Sequence, residues 1–287
     1  MKIGAYLKAA TVAEAIAAAK EHADDCAYLA GGTDVLVKAR EGEAYLHTAL
    51  IDISTLDELR GIRDCGEMLE IGALVSHAEI AASPFVKEHC SLLAKACLTV
   101  GSPQIRNRGT LGGNIANASP AADSLPALAA LGAQVEVVGM EGGPQLLTLT
   151  DVIRSSYRLA LPKTALLTRI LLPKHTGWRA EFYKLGRRNA LSISRMTIAA
   201  TALLADDGSV SDFSLAVGSV FPKPYVFEDL NKGFLGKKPT VEDIDAFALH
   251  TSNRIPEIAG IRPTTAYKQP VCQKLTARVT KNILGVE

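Results

Sequence analysis

Nowhere does the sequence gather the roughly 20 apolar residues that a membrane-spanning helix requires, and nowhere does it collect a long block of one charge. The first absence predicts no membrane span. The second, with a formal net charge of +1 from 31 basic and 30 acidic residues, leaves no field to draw a nucleic acid or an anionic membrane. Aromatic residues are scarce at 5%, too few for base-stacking platforms. There is no G-x-S-x-G and no H-E-x-x-H, so nucleophilic and metal-assisted hydrolysis lose their usual motifs. Neither G-x-G-x-x-G nor G-x-x-x-x-G-K-S/T is present, which removes support for Rossmann and Walker readings. The five cysteines, Cys26, Cys65, Cys90, Cys97 and Cys272, form no C-x-x-C. An odd count without a secretion signal predicts reduced, mostly buried thiols. The loose set His89, Cys90 and Cys97 reads as structural, and no metal is assigned. Met1-Lys2-Ile3 leads directly into foldable sequence instead of a signal peptide, so a cytoplasmic location is expected.

What the chain does have is length and apolar content. Its 287 residues, 48% hydrophobic with a mean hydropathy of +0.15, suffice for two domains with substantial cores. Lys2 to Leu7 reads as a strand. Thr11 and Glu14 then mark a helix start, and Ala27 to Ala30 reads as a second, buried strand, giving a β-α-β unit. Ala49 to Ile53 adds a strand, Gly61 to Gly72 a hairpin around Cys65-Gly66, and Ser76 with Glu79 a second capping box. Ser91 to Val100 is amphipathic, Ser124 to Leu131 a small-residue helix, Gln134 to Val138 a half-buried strand, and Leu166 to Leu172 an apolar one that ends at Pro173. The polar stretch Pro173 to Trp178 has the look of an interdomain linker. Beyond it, Glu181 to Leu185, Ser194 to Ala205 and Val210 to Val217 read as strands, with Asp206-Asp207-Gly208 as a hairpin turn. Thr240 caps a helix, and Thr264 to Leu284 is mostly helical despite Pro270. This second half is expected to be an antiparallel sheet covered by helices on one side.

Two glycine-bearing stretches organise the first half. In Gln104 to Asp123, Gly109, Gly112 and Gly113 are suited to φ > 0, and the amides of Leu111 to Ile115 to facing an anion. Asn114, Asn117 and Ser119 add short polar side chains. Asp123 is placed either to cap the following helix or to accept a hydrogen bond from a sugar hydroxyl. In Leu29 to Leu36 a short strand runs into Gly31-Gly32, then Thr33 and Asp34. Two such loops are suited to clasping the two ends of a pyrophosphate.

The segments LAGGTDVL, IGALVSHAEI, VGSPQIRNRGTLGGNIANASPAAD and FYKLGRRNALSIS, in that order and spacing, resemble the FAD-binding medium subunit of the molybdenum hydroxylases, the xanthine dehydrogenase and carbon monoxide dehydrogenase family. The resemblance extends to GIRPTTAYKQPV at residues 260–271. It implies an α+β fold: a two-subdomain FAD-binding domain of the vanillyl-alcohol oxidase (PCMH) type at 1–175, with subdomains of about 1–55 and 56–175. A C-terminal α+β domain of the CO dehydrogenase flavoprotein type follows at 176–287. The flavin contacts implied are Leu29, Ala30, Gly31, Gly32, Thr33, Asp34, Val35 and Leu36 in the first loop and Thr110, Leu111, Gly112, Gly113 and Asn114 in the second. Asp123, Val100, Leu167, Lys184 and Ile193 are implied individually. Leu191 departs from the acidic residue of mammalian xanthine dehydrogenases.

The resemblance further implies electron transfer with no catalytic side chain of the protein's own. Non-covalent FAD would take electrons from a partner and pass them to an acceptor, NAD(P)+ by the look of Arg187 to Ser194, with Arg187 and Arg188 suited to its phosphates. The implied partners are a molybdenum-binding large subunit and a small subunit with two 2Fe–2S clusters; molybdopterin and the clusters belong to those partners alone. The cysteine-rich insertion of chains similar to 4-hydroxybenzoyl-CoA reductase is missing. Two rival classes remain: a self-sufficient FAD oxidase of the vanillyl-alcohol oxidase type, whose covalent histidine neither glycine loop supplies, and a flavin-free scaffold.

Overall fold

The first layer is set by capping and by alanine. Thr11 Oγ1 accepts a hydrogen bond from the Glu14 amide, and Glu14 reaches back to the Ala10 amide at 2.8 Å, which starts the helix at Val12. The computed structural model describes residues 4–23, 25–40, 49–188 and 191–287. In it β1 (Ala5–Lys8), α1 (Val12–His22), β2 (Cys26–Leu29), α2 (Val35–Arg40) and β3 (Ala49–Asp52) form a parallel sheet of order β1-β3-β2. Ala15 and Ala19 are fully buried and let α1 pack closely. The expected β-α-β unit is present, but its two strands are not neighbours. Every residue of β3 is buried whereas β1 alternates, so the more apolar strand takes the centre. Of the strand expected at Lys2 to Leu7, the first two residues lie outside the described residues.

The second sheet is antiparallel, of order β4-β5-β10-β6-β7. Its hairpin β4 (Ile62–Cys65) and β5 (Met68–Gly72) turns at Gly66, φ 74°. The chain then runs through α3 (His77–Ala82), α4 (Pro84–His89), α5 (Ser91–Leu98), α6 (Pro103–Arg108), α7 (Leu111–Asn117) and α8 (Ser124–Ala130). It returns in β6 (Gln134–Val138), β7 (Gln145–Thr148), α9 (Leu149–Val152), the small ladder β8 (Ile153–Ser155) with β9 (Arg158–Leu159), and the central β10 (Leu166–Pro173). The Ser76 and Glu79 capping box starts α3 as expected.

The long glycine stretch is not an open loop. Ser102 caps α6 with Pro103 at the first helical position, and the Thr110 hydroxyl caps α7 by accepting from the Gly113 amide at 3.1 Å. Both caps are in the sequence, but two glycines inside a six-to-seven-residue segment mask so short a helix.

The third sheet joins β11 (Arg179–Leu185), β12 (Met196–Leu204), β13 (Val210–Gly218) and β14 (Tyr225–Val226), all antiparallel; α10 (Glu228–Asn231), α11 (Val241–Ala259) and α12 (Thr265–Leu284) follow. Helices cover one face, where Ile198, Leu215 and Val217 share a core with Ile244, Phe247 and Val279. The other face is covered too, which differs from the one-sided expectation. Ala199 and Ala216 belong to the core of the second sheet, and α8 packs on β12 and β13. A Cβ on Gly218 would come 2.8 Å from Pro126 of α8. Burial on both faces explains why β12 reads MTIAATALL, apolar almost throughout instead of alternating. The stretch before β11 is fastened and not a free tether. Lys174 and His175 donate main-chain hydrogen bonds to Glu67 and His89, and the His175 and Trp178 rings meet edge to face at 4.2 Å.

Candidate functional site

The first glycine turn leaves main-chain donors open. Among the described residues, the amides of Gly31, Gly32, Thr33, Asp34 and Val35 have no protein acceptor, whereas those of Leu36 and Lys38 bond the carbonyls of Gly32 and Asp34. Gly32 has φ 77°, which a Cβ would oppose. Gly31 answers a different demand: a Cβ there would sit 1.9 Å from the Arg108 carbonyl oxygen, so only glycine lets this turn lie against the end of α6.

The second stretch meets the first there, but in another way than its composition predicts. Gly109 has φ −65°, and Gly112 and Gly113 lie within α7, so none of the three adopts φ > 0. Their amides are engaged. Leu111 donates to Val75, Gly112 to Ala73 at 2.9 Å, Gly113 to the Thr110 hydroxyl, and Asn114 to the Thr110 carbonyl. Glycine is needed for proximity: a Cβ on Gly112 would lie 2.6 Å from that of Ala73, and one on Gly113 2.8 Å from the capping hydroxyl. This stretch is therefore a closely packed wall, and the open donors belong to the first loop. Side chains lock the two together. Asn117 Nδ2 donates to Asp34 Oδ1 at 2.7 Å, and Lys38 Nζ donates to Asn117 Oδ1 at 2.7 Å while lying 5.2 Å from the Tyr157 ring centroid. Burial raises the Asp34 carboxyl above its ordinary range, against the pull of Lys38 and Thr33. Beneath them His77 is buried, its amide bonded to the Gly109 carbonyl and its Nδ1 3.4 Å from the Cys97 sulfur.

A second cluster adjoins the wall. The Ser124 hydroxyl donates to Asn114 Oδ1 at 2.6 Å, and one residue earlier Asp123 stands at the N-cap position of α8. Its carboxylate makes no capping bond. Instead Oδ2 takes Lys184 Nζ at 2.5 Å, and Oδ1 accepts from the Ser194 hydroxyl. Lys184 Nζ also donates to the Thr99 carbonyl at 2.9 Å. Asp123 is 5% exposed, and that burial pushes its carboxyl up while Lys184, Ser194 and Thr99 pull it down. So Asp123, Lys184 and the backbone next to Val100 come together at the joint between α5, α8, β11 and β12. Ile193, beside Ser194, is 82% exposed. Leu167 sits in β10, buried, behind the Ala73 segment that clamps α7: the Ala73 amide bonds the carbonyl of Thr168. Cys97, next to Asp123, is driven up by burial and stays a thiol.

Residues 1–175 match the family described as the FAD binding domain in molybdopterin dehydrogenase, and residues 181–283 match the CO dehydrogenase flavoprotein C-terminal domain. The chain belongs to the FAD-binding medium subunits of the molybdenum hydroxylases. The nicotinate dehydrogenase FAD-subunit of Eubacterium barkeri is 31% identical over 262 residues, covering 90% of this chain and 88% of the relative. The carbon monoxide dehydrogenase medium chain of Hydrogenophaga pseudoflava is 32% identical over 244 residues, covering 83% and 82%. A solved carbon monoxide dehydrogenase from the same organism, lacking the Mo-pyranopterin moiety, superposes with a TM-score of 0.92 at 26% identity over 99% of this chain and 98% of that one.

The medium-subunit donor set fits FAD. Five consecutive unengaged amides suit the diphosphate, and Asn117 of α7 holds Asp34 of the same turn. Sequence reading missed Ser194, Thr99, Lys38 and Tyr157. Ser194 follows Ile193 and in sequence reads only as the start of a strand. Lys38 and Tyr157 carry no motif, and only folding brings them to Asn117. Arg188 donates through Nη2 to the Leu191 carbonyl at 2.6 Å, holding Leu191 at φ 53°, and Asn189 and Ala190 lie outside the described residues.

Proposed function

We propose that this medium subunit carries electrons from the iron–sulfur clusters of a small partner subunit to NAD(P)+, within a complex whose large subunit holds the molybdenum centre. FAD, when bound, supplies interconversion between one-electron and two-electron transfer. The chain's own residues bind and shield. The amides of Gly31 to Val35 hold the diphosphate, with Leu29, Ala30 and Leu36 flanking them. Thr110 to Asn114 form the wall, and Asp123 and Lys184 fix the floor near Val100, Leu167 and Ile193. The observation that carries this reading is the row of open amides packed against the end of α6, with Asp34 bonded to Asn117 of α7.

In this reading residue 175 ends the flavin domain and 176–287 forms the second domain. Non-covalent attachment follows from the lack of histidine in either glycine stretch. The buried thiols Cys90, Cys97 and Cys272 suit a reducing, cytoplasmic setting, and no described helix is long and apolar enough to cross a membrane. Stopped-flow mixing of the flavin-loaded chain with NADH and with NADPH tests the acceptor. Bleaching of the flavin band by one of them is expected. Reduction by dithionite with none by either nucleotide would remove NAD(P)+ from the proposal.

A further inference from the structure

The loop after α11, the first turn of α12 and the residue before β12 bring three cations together beside the flavin joint. Lys268 Nζ donates to the Ser219 carbonyl at 2.7 Å, and the Arg195 guanidinium lies 5.2 Å from the Tyr267 ring centroid. Arg262 donates through Nε to the Ala259 carbonyl at 3.0 Å and through its amide to the Thr265 hydroxyl. Each cation keeps unused donors, and among the described residues none lies within 4 Å of a carboxylate. The half-buried Lys268 ammonium is held below its ordinary range by desolvation and by the two guanidiniums. The helix that carries Lys268 adds to the imbalance: α12 has no side-chain cap and no acidic residue in its first turn, whereas α1, α3 and α11 each have both. Uncompensated positive charge in a half-buried cluster is destabilising until an anion arrives.

The cluster's position relates it to the reaction. The Ser219 amide donates to the Pro120 carbonyl, three residues before Asp123, and the Arg195 amide bonds Leu185, next to Lys184. Arg195 directly follows Ser194, which donates to Asp123. Tyr267, 45% exposed, places an aromatic face among the cations. Arg188, by contrast, is occupied by the Leu191 carbonyl.

We propose that Arg195, Arg262 and Lys268 form an anion site that takes the phosphate groups of a dinucleotide electron acceptor at the edge of the flavin joint. Guanidinium forks and an ammonium match phosphate oxygens in geometry and charge. The inference rests on the reading of NAD(P)+ as acceptor.

The test uses the flavin-loaded full chain and inorganic pyrophosphate as probe. Calorimetric titration should show binding that weakens steeply with salt, by about tenfold or more in Arg262→Ser, the loss of one charge-assisted contact. Arg262 is exposed, so that variant should fold; Lys268→Met checks the half-buried member. Pyrophosphate should also compete with NADH or NADPH in flavin reduction, and Arg262→Ser should raise the half-saturating nucleotide concentration without changing reduction by dithionite. No pyrophosphate binding in wild type overturns the site. Binding without competition overturns its assignment to the acceptor. Binding that vanishes in the intact complex overturns it as well, because the cations then face a partner's carboxylates. Failure of NADH and NADPH alone to reduce the flavin removes the acceptor reading, an outcome the calorimetric arm distinguishes.

Discussion

Asp123 was legible as important but not in its role. Of the two readings open to it, the cap is excluded by geometry: the carboxylate faces Lys184 and Ser194, partners 61 and 71 positions away that no local pattern reveals. Asp123→Ala should therefore cost the flavin-free chain about 3–5 kcal/mol, because it leaves a largely buried ammonium uncompensated. Urea unfolding of Asp123→Ala against Asp123→Ala/Lys184→Met reads this, and the double variant should recover most of the loss. A loss under about 1 kcal/mol in the single variant would show the pair to be energetically idle. His77 gives a prediction in pH. Desolvation first, and Arg106 second, lower its folded pKa from 6.5 to about 4. The folded state thus binds fewer protons than the unfolded chain between those values. The stability linked to neutral His77 is present above pH 6.5 and is lost as pH falls toward 4, on the order of 3 kcal/mol across that window. The difference in unfolding free energy between wild type and His77→Gln, measured from pH 7 to pH 4, isolates it; a flat difference would refute the assignment.

Among the elements, those with a cap and a long apolar stripe were readable. Thr11, Ser76 and Thr240 all begin helices where their side chains announce them, and the Asp207-Gly208 turn joins β12 to β13. The short helices α2, α4, α6 and α9, of four to six residues each, were not, because so few residues show no periodicity and tertiary contacts decide their form. The glycines of α7 misled for a related reason. Their small size was evident, but whether it served φ > 0 or close approach depends on Ala73, nearly forty residues away. Two variants separate these uses. Gly31→Ala should destabilise the flavin-free chain by about 1–3 kcal/mol or more and abolish flavin retention, since its methyl group meets backbone at Arg108. Gly113→Ala should leave the melting temperature nearly unchanged, because a gain in helix propensity of about 1 kcal/mol offsets a weakened Thr110 cap. Flavin retention should still fall through the narrowed wall. Equal melting temperatures for both variants would contradict the packing described for Gly31.

For the whole molecule, the order of the chain's segments was readable while the fit between its halves was not. The alanines of β12 and β13 look like weak strand formers in sequence; in the fold they are what lets α8 approach the third sheet. Residues 1–175 produced alone should accordingly bind a hydrophobic dye and associate, since α8, buried over most of its length, would lose its cover. A monomeric fragment without dye binding would show that the halves are separable.

That same helix sets an order of events at the ribosome. α8 is complete tens of residues before β12 and β13 exist, and at roughly 5–20 residues per second the delay is on the order of several seconds. Throughout that interval SLPALAA is a sticky nascent surface whose intended cover has not been translated. Slowing synthesis between residues 131 and 218 with rare codons should lower the yield of soluble chain, whereas the same slowing after residue 218 should not.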